Sequence, residues 1–475
     1  TATQLKALTT ADIGELVDTQ VAALSTVQLS ALSATNISAL NETQTAALST
    51  TQIKGLTATQ LKGLSTADMA ELTTTQVAAM SAEQLKALSE TNVSALSETQ
   101  VGALSNAQVQ ALSTTQLKGL SVADIGELSA TQVGALSAAQ VGALSVTNLQ
   151  ALTETQIGGL TATQIGALSV TNVTQLADTQ FAALSTTQIK GLTTAQVARL
   201  TADNVGDLAD TQIGALSAAQ IGALSATNVS ALADTQVAAL SATQIKGLTA
   251  TQLKGLSAAD IGELADTQIA ALTAIQLGAL STTGVSALAD TQMAALSATQ
   301  IKGLTTTQLG GLSTADIGEL LDTQVAALAA SQLAALSATN ISALNETQVA
   351  AISTTQIRAL TATQLRGLSP ADIGELSATQ IGALTTSQIT ALDTTNLQAL
   401  SETQVGALSA AQISVLTSTG ISALADTQIA VLNATQIKGF NASQLKALTT
   451  ADIGELADTQ IAALTPTQLT SLTAT

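Results

Sequence analysis

The chain has 475 residues, a formal net charge of −19 from 14 basic and 33 acidic side chains, and no Cys, His, Trp or Tyr. Without Cys there is no disulfide framework and no thiolate chemistry, and without His the commonest general base and the commonest zinc ligand are both missing. The acidity argues against nucleic acid or an anionic membrane as partner, and no apolar run approaches the roughly 18 residues of a membrane span.

From Thr1 to Leu472 the sequence divides into 59 octapeptides without insertion or deletion, and Thr473, Ala474 and Thr475 open a sixtieth. Position 8 is Leu throughout except at Met80, Ile352 and Phe440, and position 5 is Ile, Val, Leu, Met or Phe except at Thr45. A period this regular means that each unit meets its neighbours in the same way, which is the signature of a solenoid. No composition shift, linker or charge block offers a cut, so the expectation is a single uninterrupted repeat domain over 1–475. The chain opens on Thr1, not Met, and is read as an internal fragment or processed product of a longer protein.

Each octad carries the grammar of a helix start. In Leu64-Ser65-Thr66-Ala67-Asp68-Met69 the Ser65 hydroxyl is placed as N-cap. Asp68 can reach back to the Ser65 amide as in a capping box, and Leu64 and Met69 form a hydrophobic staple. Leu48-Ser49-Thr50-Thr51-Gln52-Ile53 reads the same way. With a start every eight residues, no helix exceeds about six or seven residues. The fold class predicted is therefore all-α, a superhelical solenoid of short capped helices, one per octad.

The alternative is a β-solenoid with one strand per octad, favoured by Thr at positions 1 and 3 and the branched residue at 5. Ala, Gln and Leu dominate elsewhere and position 8 breaks the alternation. Glycines such as Gly158-Gly159 and Gly310-Gly311 count against helix by about 1 kcal/mol each. A continuous long helix is excluded, because apolar spacings of three and five drift off any one face.

A second period is written over the first. Position 4 is Gln except at Asp12, Asn36, Asp68, Asn92, Asp124, Asn148, Asn172, Asn204, Asn228, Asp260, Gly284, Asp316, Asn340, Asp372, Asn396, Gly420 and Asp452. These marked octads recur after three or four units, 55 octads in 16 steps, which implies a turn of roughly 3.4 octads with the marked units stacked along one edge. Charge follows the same clock. Every base at position 6, together with Arg199 at position 7, lies one or two octads before a marked unit; acids at position 2, Glu90 apart, lie one octad after. Where an apolar residue takes the cap position, as in Ala209-Asp210 and Leu321-Asp322, the aspartate is expected to serve as cap and as dipole partner. A basic and an acidic stripe result. Lys54, Lys62, Lys246 and Lys254 in the one, and Asp210, Asp234, Asp266 and Asp290 in the other, are the candidate self-association residues.

Seven marked units pair carboxylates at positions 4 and 7: Asp12/Glu15, Asp68/Glu71, Asp124/Glu127, Asp260/Glu263, Asp316/Glu319, Asp372/Glu375 and Asp452/Glu455. The i, i+3 spacing puts both on one helix face, where they could help hold Ca²⁺, a cation that takes six to eight oxygens. A capping Asp with a Glu paired to a stacked Lys accounts for them more simply. Regular hydroxyl rows suggest an ice-binding face, but capping already explains position 1. No nucleophile–base pair or pocket is in view, so no enzyme activity and no cofactor are expected.

The run Leu160-Thr161-Ala162-Thr163-Gln164-Ile165 also opens TAL-effector repeats, yet their basic surface and base-reading loop are absent, and DNA binding is rejected. Over its whole length the pattern Leu-Ser/Thr-x-x-Gln-Ile/Val-x-Ala-Leu resembles the octapeptide tracts of large bacterial secreted or cell-surface proteins of the adhesin-like or haem-utilisation-like kind. No haem ligand set accompanies it. The resemblance implies an extracellular structural protein. It would be either a fibre, sheath or surface-layer subunit that assembles with itself laterally or end to end, or a stalk or passive spacer carrying a terminal module. Surface or matrix polysaccharide is a further partner the resemblance allows.

Overall fold

The computed structural model describes residues 1–472, so the three residues of the sixtieth octad lie outside it. Each octad forms one helix, from α1 (Ala2–Leu5) to α59 (Pro466–Leu472), and no strand occurs among the described residues. The helical solenoid is thus the fold, and the β alternative is overturned. Position 1 caps nearly every helix from extended backbone. Ser49, for example, sits at φ −68°, ψ 158° and its hydroxyl accepts the Gln52 amide. Position 8 is extended again, as at Leu56 with φ −67°, ψ 137°. Two extended residues therefore separate each helix from the next and swing the chain round.

No described residue, glycine included, has a positive φ, so the glycines at positions 6 and 7 do not cap helices in the left-handed conformation. Some of them let helices approach, while others, such as Gly158 and Gly318, face open space. A Cβ on Gly134 would sit 2.7 Å from the Gly159 carbonyl oxygen, and one on Gly159 would sit 2.6 Å from that of Ala130. The propensity cost anticipated for Gly159, Gly310 and Gly311 is offset by close packing between turns, but Gly158 has no such neighbour.

The chain forms two compact units, residues 1–239 and 240–475. In unit 1 each helix packs on the third one along, as α18 (Ala138–Ala143) does on α21 (Ala162–Ala167) and α21 on α24 (Thr186–Gly191). Unit 2 repeats this with α35 (Ala274–Ala279) on α38 (Ala298–Gly303). Side chains at positions 5 and 8 point inward: Ile53, Leu61 and Val77 are wholly buried in unit 1, as are Ile301 and Leu309 in unit 2. Each octad contributes only two large apolar side chains, so the core is a stack of thin layers whose stability sums over neighbours. No helix among the described residues is long and apolar enough to cross a membrane.

Candidate functional site

The most heavily used polar group in each unit is the position-4 amide. Gln60, 2% exposed, accepts the Thr57 backbone N–H at 2.8 Å through Oε1. Its Nε2 donates to the carbonyls of Leu29 at 2.8 Å and Leu32 at 3.0 Å, 31 and 28 residues earlier. Gln308 does the same in unit 2, taking the Thr305 amide at 2.7 Å and donating to Leu277 and Leu280 at 3.0 and 2.8 Å. Helix termini leave carbonyls without intrahelical partners, and here the acceptors are at the end of the helix four octads back. One side chain starts its own helix and closes the end of another. Packing on the third helix and bonding to the fourth bracket the turn between three and four octads.

Sequence reading assigned position 4 the capping role alone. The missed signal is the absence of Glu from all 59 octads at that position. A capping box accepts Glu as readily as Gln, but only an amide can also donate.

Marked octads break this ladder in three ways. Asn92, one methylene shorter, donates to the Leu64 carbonyl at 2.9 Å but leaves the Ser89 amide unclaimed, whereas Asn204 takes the Thr201 amide at 3.1 Å. Gly284 and Gly420 present no side chain; only their backbone amides are held, by Ser281 Oγ and Thr417 Oγ1, each at 2.9 Å. Asp takes the cap amide, as Asp68 does from Ser65 at 2.6 Å, but has nothing to donate. A serine in the preceding turn reverses the polarity: Ser38 donates to Asp68 at 2.6 Å, Ser286 to Asp316 at 2.8 Å and Ser342 to Asp372 at 2.5 Å. Every position-4 Asp beyond Asp12 has a Ser 30 residues earlier in the sequence.

Marked octads do stack. In unit 1 the Ser38–Asp68 bond joins α5 (Ala34–Ile37) to α9 (Thr66–Glu71), and α9 packs on α12 (Glu90–Ser94). In unit 2, α40 (Thr314–Gly318) packs on α43 (Ala338–Ser342), which Ser342–Asp372 joins to α47 (Pro370–Glu375).

Along this edge the seven pairs have distinct surroundings. Asp12 is exposed, and the Thr9 N–H and then the Thr9 hydroxyl, both at 2.7 Å, hold its carboxyl below the usual carboxylate range. Asp68, Asp124 and Asp452 are buried, while Asp260, Asp316 and Asp372 are half-buried. Glu15, Glu127, Glu263, Glu319 and Glu455 are exposed. Glu71 and Glu375 are half-buried, and Oε2 of each lies out of water with no hydrogen-bond partner. Burial, then Asp68, then Glu42 push the Glu71 carboxyl up; burial, then Asp372, then Glu346 do the same to Glu375. No group of three or more acidic side chains among the described residues is placed to hold a metal ion.

All eight stripe residues, Lys54, Lys62, Lys246, Lys254, Asp210, Asp234, Asp266 and Asp290, are exposed. Helices that carry bases pack on helices that carry acids: α24, which includes Lys190, packs on α27 (Asp210–Ile213), and α31 (Ala242–Gly247), which includes Lys246, packs on α34 (Asp266–Ala271). The two stripes therefore abut at these points. Asp322 accepts the Thr323 amide of its own first turn at 2.6 Å, as expected of an aspartate cap, but Asp210 and Asp266 do not cap their own helices. Gln212 and Gln268 take the Ala209 and Ala265 amides at 2.6 and 2.8 Å, while each aspartate accepts a threonine hydroxyl from the following turn, Thr235 at 3.0 Å and Thr291 at 3.1 Å. A surface groove in unit 2, lined by Thr251, Thr282, Thr305 and Thr307, has Lys254 as its one titratable group.

Five stretches, residues 77–114, 113–146, 173–210, 325–362 and 362–394, match the family model described as the ALTTAQ repeat. The chain is thus a repeat protein, similar over those stretches to that repeat type. No curated protein matches it.

Proposed function

We propose that the chain is a non-catalytic structural stalk of a bacterial secreted or cell-surface protein, holding another module at a set distance. The ladder carries this reading. Position 4 directs its hydrogen bonds inward, to its own cap and to the preceding turn, and what remains outside is a Ser, Thr and Ala surface with charge in stripes. Such a design sets length by the number of octads and asks nothing of a pocket. The abutting stripes favour a stalk over a lateral assembler, since opposite charges on packed helices offset one another before a second molecule arrives.

Light scattering on the purified chain at low salt and at about 0.5 M, where screening is complete within a few ångströms, tests this. A monodisperse monomer at both supports the stalk. Self-assembly into a fibre or surface layer, which the exposed lysines and aspartates support, would give large species at low salt. Those species would shrink when Lys54, Lys62, Lys246 and Lys254 are changed together to Gln; that outcome would replace the stalk reading.

A further inference from the structure

Two of the seven Asp–Glu units differ from the others in a way that neither capping nor core packing uses. In α9 and α47 the helix runs on through the glutamate. In α2 (Thr10–Gly14), α16 (Val122–Gly126), α33 (Ala258–Gly262), α40 and α57 (Thr450–Gly454) it ends at the glycine before. Helical backbone at Glu71 and Glu375 goes with a carboxylate oxygen withdrawn from water and left unpartnered. A third acid comes from the preceding turn, because α6 (Glu42–Ala46) packs on α9 and α44 (Glu346–Ala351) packs on α47. The sets Glu42/Asp68/Glu71 and Glu346/Asp372/Glu375 have the same spacing, which Glu98/Asp124/Glu127 shares, but of these three only the first two have a glutamate oxygen withdrawn from water and an Asp that receives a serine hydroxyl.

The other elements against α9 add no positive charge: they bring Glu90 on α12 and Glu98 on α13 (Glu98–Gly102), whose Gln100 bonds the Met69 carbonyl. Against α47 stand Asp393, the cap of α50 (Thr394–Gln398), and Glu402 on α51 (Glu402–Gly406). Lys62 and Arg366 are in the octads just before. These are also positions where Asp has cost the ladder its amide donor.

We propose that each set is an acid-operated clasp between consecutive turns. As pH falls through its raised pKa, the half-buried carboxylate of Glu71 or Glu375 takes one proton from water, ceases to repel Glu42 or Glu346 across the turn, and gains an O–H that can donate to a carboxylate of its own set. The direction of the Glu71 and Glu375 shifts agrees. A carboxyl held higher in the fold than in the unfolded chain adds stability below its unfolded pKa, and that stability is lost as pH rises through the folded value.

Hydrogen exchange on the whole chain at about pH 7.5 and about pH 5, corrected for intrinsic rates, tests the clasp. Residues 42–72 and 346–376 should gain roughly three- to ten-fold protection at the acid pH relative to residues 129–152, which contain no acid. The double change Glu71→Gln and Glu375→Gln supplies a neutral donor at every pH. It should bring both stretches to their acid-level protection at about pH 7.5 and abolish their pH dependence. Asp210→Asn, which removes one charge outside the sets, should leave both stretches unaltered. Equal protection at the two pH values, a pH dependence that survives the double change, or an equal response to Asp210→Asn would each overturn the proposal.

Discussion

Octads built on Gln and octads of the marked edge have the same pair of core positions, yet they are capped and joined to the preceding turn differently. At Gln60 one amide serves both turns; at Asn92 it serves only one; at Asp68 the bond is reversed and comes from Ser38. The solenoid tolerates this because marked units recur only after three or four octads, so each altered rung lies between intact ones. Charge and unpartnered oxygen can then collect along one edge without loss of the fold. Surface chemistry varies where the ladder is weakest.

The comparison is broken most severely by a change that both classes of octad should feel alike. Leu232→Asp places a carboxylate at a position 8% exposed and is expected to cost on the order of 4 kcal/mol, opening the octads around it in local hydrogen exchange. Unchanged exchange there would mean that position 8 is not core. Next come the rungs themselves. Gln60→Ala strands the Thr57 amide and the Leu32 carbonyl, while the Leu29 carbonyl keeps the Leu32 N–H, and should cost about 2–3 kcal/mol in thermal unfolding, whereas Asn92→Ala should cost about half as much. Equal losses would show that the second bond of the Gln is idle.

A smaller contrast separates two neighbouring caps. Ser225→Ala in α29 (Ala226–Ser230) should cost about 1 kcal/mol, because Asn228 is turned to the Leu200 carbonyl and does not hold the cap. Ser217→Ala in α28 (Ala218–Ala223) should cost only about half of that, since Gln220 still takes the Ser217 amide at 2.7 Å. The smallest effect is at Asp12, where the sign is opposite to Glu71. Its lowered pKa means stability present above the unfolded value and lost as pH falls through the folded one. Carboxyl titration by NMR should find Asp12 below the usual aspartate range, and Thr9→Val should raise it part of the way back, leaving the backbone N–H in place.

Much of the fold could be read directly from the residues. Ser or Thr at position 1 with a polar group three residues on marks each helix start, and the spacing of 3 and 5 between apolar positions excludes a single long helix. The threes and fours between Asp12 and Asp452 give the turn. The ladder stayed hidden because its second bond crosses 28 to 31 residues and capping had already accounted for the glutamine. Of the candidate site, the charge stripes were legible as positions but not as neighbours. That Lys246 and Asp266 ride on packed helices depends on the turn angle, which a spacing of 20 residues does not declare by itself. The withdrawal of Glu71 and Glu375 was not legible at all, since Glu127 and Glu319 occupy the same octad position and stay in water.

The reach of the position-4 amide also governs how such a chain comes to be folded. Every glutamine rung points backward, to carbonyls already made, the reversed Ser–Asp rungs join a new octad to a serine already made, and none reaches further than about one turn. A new octad emerging during synthesis therefore finds its acceptors waiting, and no contact need await residues hundreds of positions downstream. Contact separations this short relative to chain length favour fast, sequential growth. The costly step is closing the first turn, after which elongation proceeds by repetition, and the exposed growing edge is never more than a few octads wide.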